Sequence, residues 1–158
     1  MELEFDVKID SAALYDYMLR HTYNSAAGLL GSVVGAMGIV AFFMNGYPIY
    51  LLLGVVLLGY LPVTLYTRAK RQALNPVFKE PLHYKMTEEG GTVSQGETEQ
   101  FQKWEDMYKA VSTNRSFILY TSKVNASVFP RKDLGELQAD VLGMISTHMP
   151  HSKVQIKC

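Results

Sequence analysis

Residues 26–44 read AAGLLGSVVGAMGIVAFFM, and no side chain in this stretch is charged. A second apolar stretch, residues 49–66, follows after the turn sequence NGYP at residues 45–48. Each stretch is close to the roughly 20 residues that a helix needs to cross the hydrocarbon core of a bilayer. A connection this short makes the two helices antiparallel neighbours. The pattern predicts a two-helix transmembrane hairpin over residues 25–67.

The distribution of charge distinguishes a transmembrane hairpin from a signal peptide and from a soluble pair of helices. The 158 residues carry 15 basic and 15 acidic side chains, but none between Thr22 and Thr67. A cleaved signal peptide would begin with a short basic region, whereas residues 1–21 are mostly polar and include several acids. A soluble helical pair would need an apolar covering that the rest of the chain does not supply. Because the whole-chain charge is balanced, we expect no nucleic-acid partner.

Basic residues flank the hairpin on one side only. Arg20 precedes it, Arg68, Lys70 and Arg71 follow it, and the turn carries none. The positive-inside rule predicts two spans of a cell membrane with both termini cytoplasmic and the turn outside. Residues 68–80 are predicted to be a basic juxtamembrane linker, and Arg68, Lys70 and Arg71 at its start are candidate contacts with lipid headgroups.

Four glycines lie on one stripe of the first helix: Gly28, Gly31, Gly35 and Gly38. Their spacing matches neither a dinucleotide-binding fingerprint nor a P-loop. Small residues let helix backbones approach each other closely in lipid. We expect the stripe to pack helices, either as the seam within the hairpin or as a dimer contact through Gly31 and Gly35.

The residues around the hairpin predict a second unit. Residues 1–10 alternate between apolar and polar side chains, which predicts a strand. Ser11 is a candidate N-cap for a short amphipathic helix that follows the strand. The strand and the helix make up an N-terminal segment, residues 1–24. Residues 81–149 predict six short strands and then a helix. Asp133 is a candidate cap for that helix, which would bury Leu134, Leu137, Val141, Met144 and Ile145. A lone strand is unstable, so the N-terminal strand should join the C-terminal sheet.

The stretches WEDMYKAV at residues 104–111 and VFPRKDL at residues 128–134 resemble the YcxB-like family of bacterial membrane proteins. The resemblance implies a pleckstrin-homology-like (PH-like) fold, an antiparallel, partly open β-barrel of seven strands capped by a C-terminal helix. The fold class is therefore an α+β membrane protein in the bacterial inner membrane. The family implies no established catalytic chemistry, and the N-terminal strand would supply the seventh strand.

No catalytic, cofactor-binding or metal-binding residues are predicted, and we do not expect an enzyme. Glu105 and Asp106 are adjacent, so in a strand they point to opposite faces and cannot act together. His151 lies in the C-terminal tail, residues 150–158, and His148 lies just before it. The tail contains no Asp or Glu that could complete a metal site. The single cysteine, Cys158, is interpreted as an ordinary terminal thiol.

Three residues of the C-terminal domain are candidate contacts with a partner or with lipid. Trp104 could be an exposed binding residue or a core residue that donates its N–H to a backbone carbonyl. Arg131 and Lys132 could contact anionic lipid or an acidic partner, or could form a solvated basic turn.

Phosphoinositide binding is disfavoured, because the loop between the first two predicted strands carries Glu88 and Glu89 and no basic residue. We expect a cytoplasmic module that scaffolds or regulates a protein partner or a second copy, with lipid or small-ligand sensing as the alternative.

Overall fold

The computed structural model describes residues 2–156, and Cys158 lies outside the described residues. Five α-helices are formed within that range: α1 (Ser11–Tyr23), α2 (Ala26–Asn45), α3 (Pro48–Ala73), α4 (Arg131–Leu134) and α5 (Gln138–His148). The strands in the same range are β1 (Leu3–Val7), β2 (Leu82–Met86), β3 (Gly90–Gln95), β4 (Thr98–Lys103), β5 (Lys109–Ser112), β6 (Ser116–Tyr120), β7 (Ala126–Pro130) and β8 (Val154–Gln155).

Helices α2 and α3 form an antiparallel hairpin. Ser25 caps the start of α2, and Gly46 ends it with a φ of 72°, a left-handed conformation that favours glycine. Pro48 occupies the first turn of α3, where its missing N–H costs nothing. Both helices are long and apolar enough to cross a bilayer, and only 11% of the most apolar window of each is buried.

Helix α3 is longer than the sequence pattern predicted. It continues through Arg68, Lys70 and Arg71 to Ala73, so the first half of the predicted linker, residues 68–80, is helical. The reason is tertiary packing, since Ala69 in this continuation is buried and belongs to the core of the β-domain (residues 82–156 together with β1). A short 3-10 turn, Pro76–Phe78, then leads to β2.

The N-terminal strand pairs with the C-terminal half of the chain, as its alternating pattern predicted. Strand β1 is antiparallel to β2, with Leu3 opposite Met86 and Val7 opposite Leu82. Its apolar side chains Leu3, Phe5 and Val7 are buried while the intervening residues are exposed. The segments that precede and follow the hairpin are therefore joined in one sheet.

The α+β class is confirmed, but across residues 2–156 the strands form two four-stranded sheets and no closed barrel, so the strands are divided where a single, partly open barrel was predicted. The sheet orders are β1-β2-β3-β4 and β7-β6-β5-β8. The 3-10 turn Trp104–Asp106 interrupts the chain between β4 and β5, so these consecutive strands belong to different sheets. Strand β8, which was not predicted, lies parallel to β5. The sheets meet through aromatic packing, with the Phe129 ring 5.5 Å from Phe5 and 4.8 Å from Tyr84.

Two predicted helix caps are also wrong. Asp10, one residue before the predicted Ser11, caps α1, and its carboxylate accepts from the N–H of Ala13 at 2.8 Å. Asp133 lies inside α4 and accepts from the backbone N–H of Lys8 at 3.0 Å, so it does not cap the long C-terminal helix. Gly135, with a φ of 51°, separates α4 from a 3-10 turn and then α5.

The core-facing side of the C-terminal helical region agrees with the prediction. Leu134, Val141, Met144 and Ile145 are buried, and Leu137 is partly buried against the same core.

Candidate membrane and ligand-binding surfaces

Three glycines form the closest contact between α2 and α3. A Cβ on Gly35 would lie 2.8 Å from Leu58 Cγ, and a Cβ on Gly38 would lie 3.1 Å from the Cα of Gly54. A Cβ on Gly54 would lie 2.7 Å from the carbonyl oxygen of Gly35 and 2.9 Å from the backbone nitrogen of Ile39. We call Gly35, Gly38 and Gly54 the glycine seam. Such proximity maximises dispersion contacts between the two helices.

The other two glycines of the predicted stripe have different surroundings. A Cβ on Gly28 would lie 2.1 Å from the carbonyl oxygen of Thr22, so this glycine is required at the junction of α1 and α2. A Cβ on Gly31 would be 3.9 Å from Leu61, which is ordinary van der Waals contact. Gly28 therefore lies at the α1–α2 junction and not in the seam, so the prediction is wrong for Gly28. Gly31 faces Leu61 of α3 at contact distance, and the alternative dimer contact through Gly31 and Gly35 stays a prediction. Gly54 was missed, although it is a small residue within the second apolar stretch.

Helix α1 connects the hairpin to the β-domain. The ring of Tyr15 contacts that of Tyr66 on α3 edge to face, at 5.6 Å. On the side toward the β-domain, the rings of Tyr17 and His21 lie about 6.1 Å from that of Tyr120 on β6. Burial, reinforced by Tyr17, raises the pKa of Tyr120 to about 12, so its hydroxyl is neutral at physiological pH. Both contacts hold the β-domain against the base of the hairpin.

The basic side chains at the base of the hairpin are exposed. Arg68, Lys70 and Arg71 lie on the last turns of α3, and Lys70 Nζ is 4.7 Å from the centre of the Tyr66 ring. A cation at the C-terminus of a helix interacts favourably with the helix dipole. These side chains remain free to reach an anionic surface beside the hairpin.

Trp104 is a core residue and does not form an exposed contact. Its side chain is only 3% exposed, and its Nε1–H donates to the carbonyl oxygen of Thr87 at 2.8 Å. Its ring stacks on His148 of α5, with centroids 6.0 Å apart. Trp104 thus joins the end of β4 to the C-terminal helix, and the interpretation as a partner or lipid contact is wrong.

Lys132 makes an internal contact. Its ammonium lies 2.6 Å from the Asp10 carboxylate, the same carboxylate that caps α1. Partial burial opposes ionisation of Asp10, but the hydrogen bonds from Lys132 and from the Ala13 N–H outweigh it and hold the pKa of Asp10 below its usual value. The contact with Asp10 also raises the pKa of Lys132. Lys132 is therefore engaged in tying α4 to α1.

Arg131 lies in a cleft of about 890 Å³ between α1 and the turn that joins β5 to β6. Arg20 on α1 and Arg115 in the turn line the same cleft, which we call the arginine cleft. Among the described residues that line the cleft, only Asp16 is acidic. Three arginines that are far apart in the sequence are thus brought to one surface, and of these only Arg131 was predicted as a contact within the β-domain.

A second concavity, which we call the sheet crevice, is a cavity of about 260 Å³ between the two sheets. Its floor is apolar and includes Tyr84, Met107 and Phe129. Its polar lining residues are neutral, and they are Thr92, Gln100, Gln102, Thr121, Asn125 and Ser127. No charged residue lines it in the described part of the chain. Such a lining suits an uncharged ligand with an apolar body.

The histidines do not assemble a metal site in the described chain. Across residues 2–156, no group of three or more His, Cys, Asp or Glu side chains could hold a metal ion. His148 is stacked on Trp104, and His83 Nδ1 lies 2.8 Å from Asp6 Oδ1 across the β1–β2 pair.

One family model matches part of the β-domain. The model of the YcxB-like protein family matches residues 87–144. The chain carries a YcxB-like domain. The match runs from the residue after β2 into α5 and includes Trp104 and Arg131, so the family resemblance predicted from residues 104–111 and 128–134 is confirmed. The YcxB-like match does not include β1 or the apolar hairpin. No curated protein and no solved structure matches the chain.

Proposed function

We propose that the chain is a membrane-anchored binding module, and not an enzyme, which scaffolds or regulates a partner protein at the cytoplasmic face of a bacterial inner membrane. One observation carries this proposal. Helix α3 runs without interruption from the apolar hairpin into the core of the β-domain, where Ala69 is fully buried.

The exposed surface of the hairpin supports insertion into a bilayer. Leu30, Met37, Phe43, Val56 and Val63 each expose more than half of their area. A soluble monomer rarely exposes a continuous apolar surface of this extent, whereas lipid chains would cover it. The basic residues at one end of the hairpin would keep that end, and the β-domain with it, on the cytoplasmic side.

The packing at the base of the hairpin supports scaffolding. Because Ala69 is buried and Tyr15 contacts Tyr66, the β-domain would sit at a fixed height and orientation above the bilayer. A flexible tether would leave both variable. The PH-like fold that the family resemblance implies is part of the same proposal. Two sheets with a C-terminal helix are compatible with that fold. Phe101 and Tyr108 expose 52% and 44% of their area and offer aromatic contacts to a partner.

Site-specific photo-crosslinking in cells tests the proposal. p-Benzoylphenylalanine would replace Phe101 or Tyr108 on the β-domain, with Phe43 on the hairpin as a control position of the same residue type. We expect a defined protein adduct from the β-domain positions and lipid adducts from Phe43. Lipid adducts at Phe43 without any protein adduct at Phe101 or Tyr108 would contradict a scaffolding role.

Small-ligand sensing is a second candidate, favoured by the neutral lining of the sheet crevice. Native mass spectrometry of the purified chain would detect a retained uncharged molecule. Thr92→Trp should fill the crevice and release that molecule, whereas Thr98→Trp, on exposed β4, should not. Equal retention by the two variants would place the ligand elsewhere.

A further inference from the structure

The arginine cleft lies at the base of the apolar hairpin. One of its walls is α1, which ends at Tyr23, and the next helix of the hairpin begins at Ala26. Tyr23 and Leu19 both line the cleft, so its end nearest the hairpin is apolar and aromatic. If the hairpin spans a bilayer, this end of the cleft lies at the level of the lipid headgroups.

Arg131 is held in place for binding. Its Nε–H donates to the carbonyl oxygen of Thr113 at 3.2 Å, and its guanidinium carbon lies 4.2 Å from the centre of the Phe117 ring. One Nη1–H also donates to Gln138 Oε1 at 3.5 Å. A guanidinium has five N–H groups, so Arg131 keeps donors for a ligand while its orientation is fixed. The loss of side-chain entropy on binding is correspondingly small.

The positive charge of the cleft is not neutralised within the described chain. None of Arg20, Arg115 and Arg131 forms an ion pair with another residue in the range 2–156. The carboxylate of Asp16 accepts a hydrogen bond of 2.5 Å from the Thr113 hydroxyl. Three cations therefore face a single anion, and the cleft attracts a negatively charged group.

We propose that the arginine cleft binds the phosphate of an anionic phospholipid headgroup, and this inference rests on the proposed membrane anchoring. A planar guanidinium can donate two parallel N–H hydrogen bonds to two oxygens of the same phosphate group. The apolar wall formed by Leu19 and Tyr23 favours a lipid over a free phosphate, because it would lie beside the glycerol and the start of the acyl chains. A bound lipid would then fix the β-domain against the bilayer in addition to the contacts of α1.

Native mass spectrometry of the full chain in detergent, titrated with phosphatidylglycerol or phosphatidylcholine, tests this proposal. We expect phosphatidylglycerol to bind more tightly, and Arg20→Gln with Arg115→Gln to weaken it by about fivefold for each arginine removed. Both side chains are exposed, so this double variant should fold. Lys79→Gln with Lys123→Gln removes the same charge elsewhere and should change the affinity less than twofold.

The other outcomes are equally informative. Equal phosphatidylglycerol affinity in the two double variants would overturn the proposal. If millimolar inorganic phosphate displaced phosphatidylglycerol, the cleft would be a site for free phosphate, and the proposal of a lipid headgroup would be wrong. Reconstitution into phosphatidylcholine nanodiscs separates this result from the membrane assignment. A chain that enters the nanodisc but shows no headgroup preference refutes only the lipid site, whereas one that stays soluble without detergent refutes the membrane anchor.

Discussion

Adding one methyl group at Gly54 should destabilise the hairpin, whereas the same change at Gly59 on the same helix should not. The new Cβ in Gly54→Ala would lie 2.7 Å from the Gly35 carbonyl oxygen and 2.9 Å from the Ile39 backbone nitrogen. Both of these atoms are backbone, so no rotamer change can relieve the overlap. Nothing lies within 4 Å of the corresponding Cβ in Gly59→Ala.

The magnitude follows from the distances. Ordinary contact begins at 3.4 Å, so α2 and α3 must separate by about 0.7 Å at Gly54 (3.4 minus 2.7). A gap of this size forfeits roughly a quarter to a half of the dispersion energy of each contact along the seam. Overpacking of this kind typically costs about 1–3 kcal/mol. Replacing glycine by alanine in a helix favours folding by about 0.5–1 kcal/mol, which Gly59→Ala should show without the cost.

A distance assay on the hairpin measures this difference. In a Cys158→Ser background, donor and acceptor dyes on Asn24→Cys and Thr67→Cys would report hairpin opening during titration with sodium dodecyl sulfate. We expect Gly54→Ala to open at a lower detergent fraction than wild type and Gly59→Ala at the same or a higher fraction. If both variants open together, the glycine seam does not hold the hairpin and the packing argument fails.

Three further predictions concern the β-domain and α1. Phe5→Ala should cost about 3–5 kcal/mol in thermal unfolding, because Phe5 is buried between the sheets; a change below about 1 kcal/mol would place β1 outside the domain. Trp104→Phe should cost about 1–3 kcal/mol in urea unfolding followed by circular dichroism, since the carbonyl of Thr87 loses its donor, and an unchanged midpoint would contradict this. Asp10→Ala should destabilise by about 1 kcal/mol more than Asp10→Asn, which keeps a capping oxygen, and equal melting temperatures would argue against the cap. In the folded chain the pKa of Asp10 is below its usual 3.8, because the Lys132 contact outweighs partial burial. The difference in unfolding free energy between wild type and Asp10→Asn should therefore be at its maximum above about pH 4. It should disappear as the pH falls through the pKa that Asp10 has in the folded chain.

The elements that depend on local pattern could be predicted from the sequence. The absence of charge between Thr22 and Thr67 defines the hairpin, and the alternation of residues 1–10 predicts β1 and its need for a partner. The helix boundary was wrong at Arg68, because the continuation of α3 is stabilised by burial of Ala69 in a distant core. Periodicity cannot reveal such a contact.

The arrangements that depend on tertiary structure could not be predicted. Gly54 and Gly59 both interrupt the same apolar stretch, and only the crossing of α2 and α3 makes the first a contact and leaves the second open. The arginine cleft likewise unites Arg20 with Arg115 and Arg131, which no sequence spacing relates. The break between the sheets was missed because the turn that begins at Trp104 carries ordinary polar residues.

Single-cysteine labelling tests the central claim that the hairpin crosses the membrane with the β-domain in the cytoplasm. Cys158 is the only cysteine of the sequence, and Tyr47→Cys in a Cys158→Ser background places one in the turn. A membrane-impermeant maleimide added to intact spheroplasts should label the cysteine at residue 47 and should label Cys158 only after permeabilisation. Labelling of Cys158 in intact spheroplasts, or protection of both sites until lysis, would contradict the proposed topology.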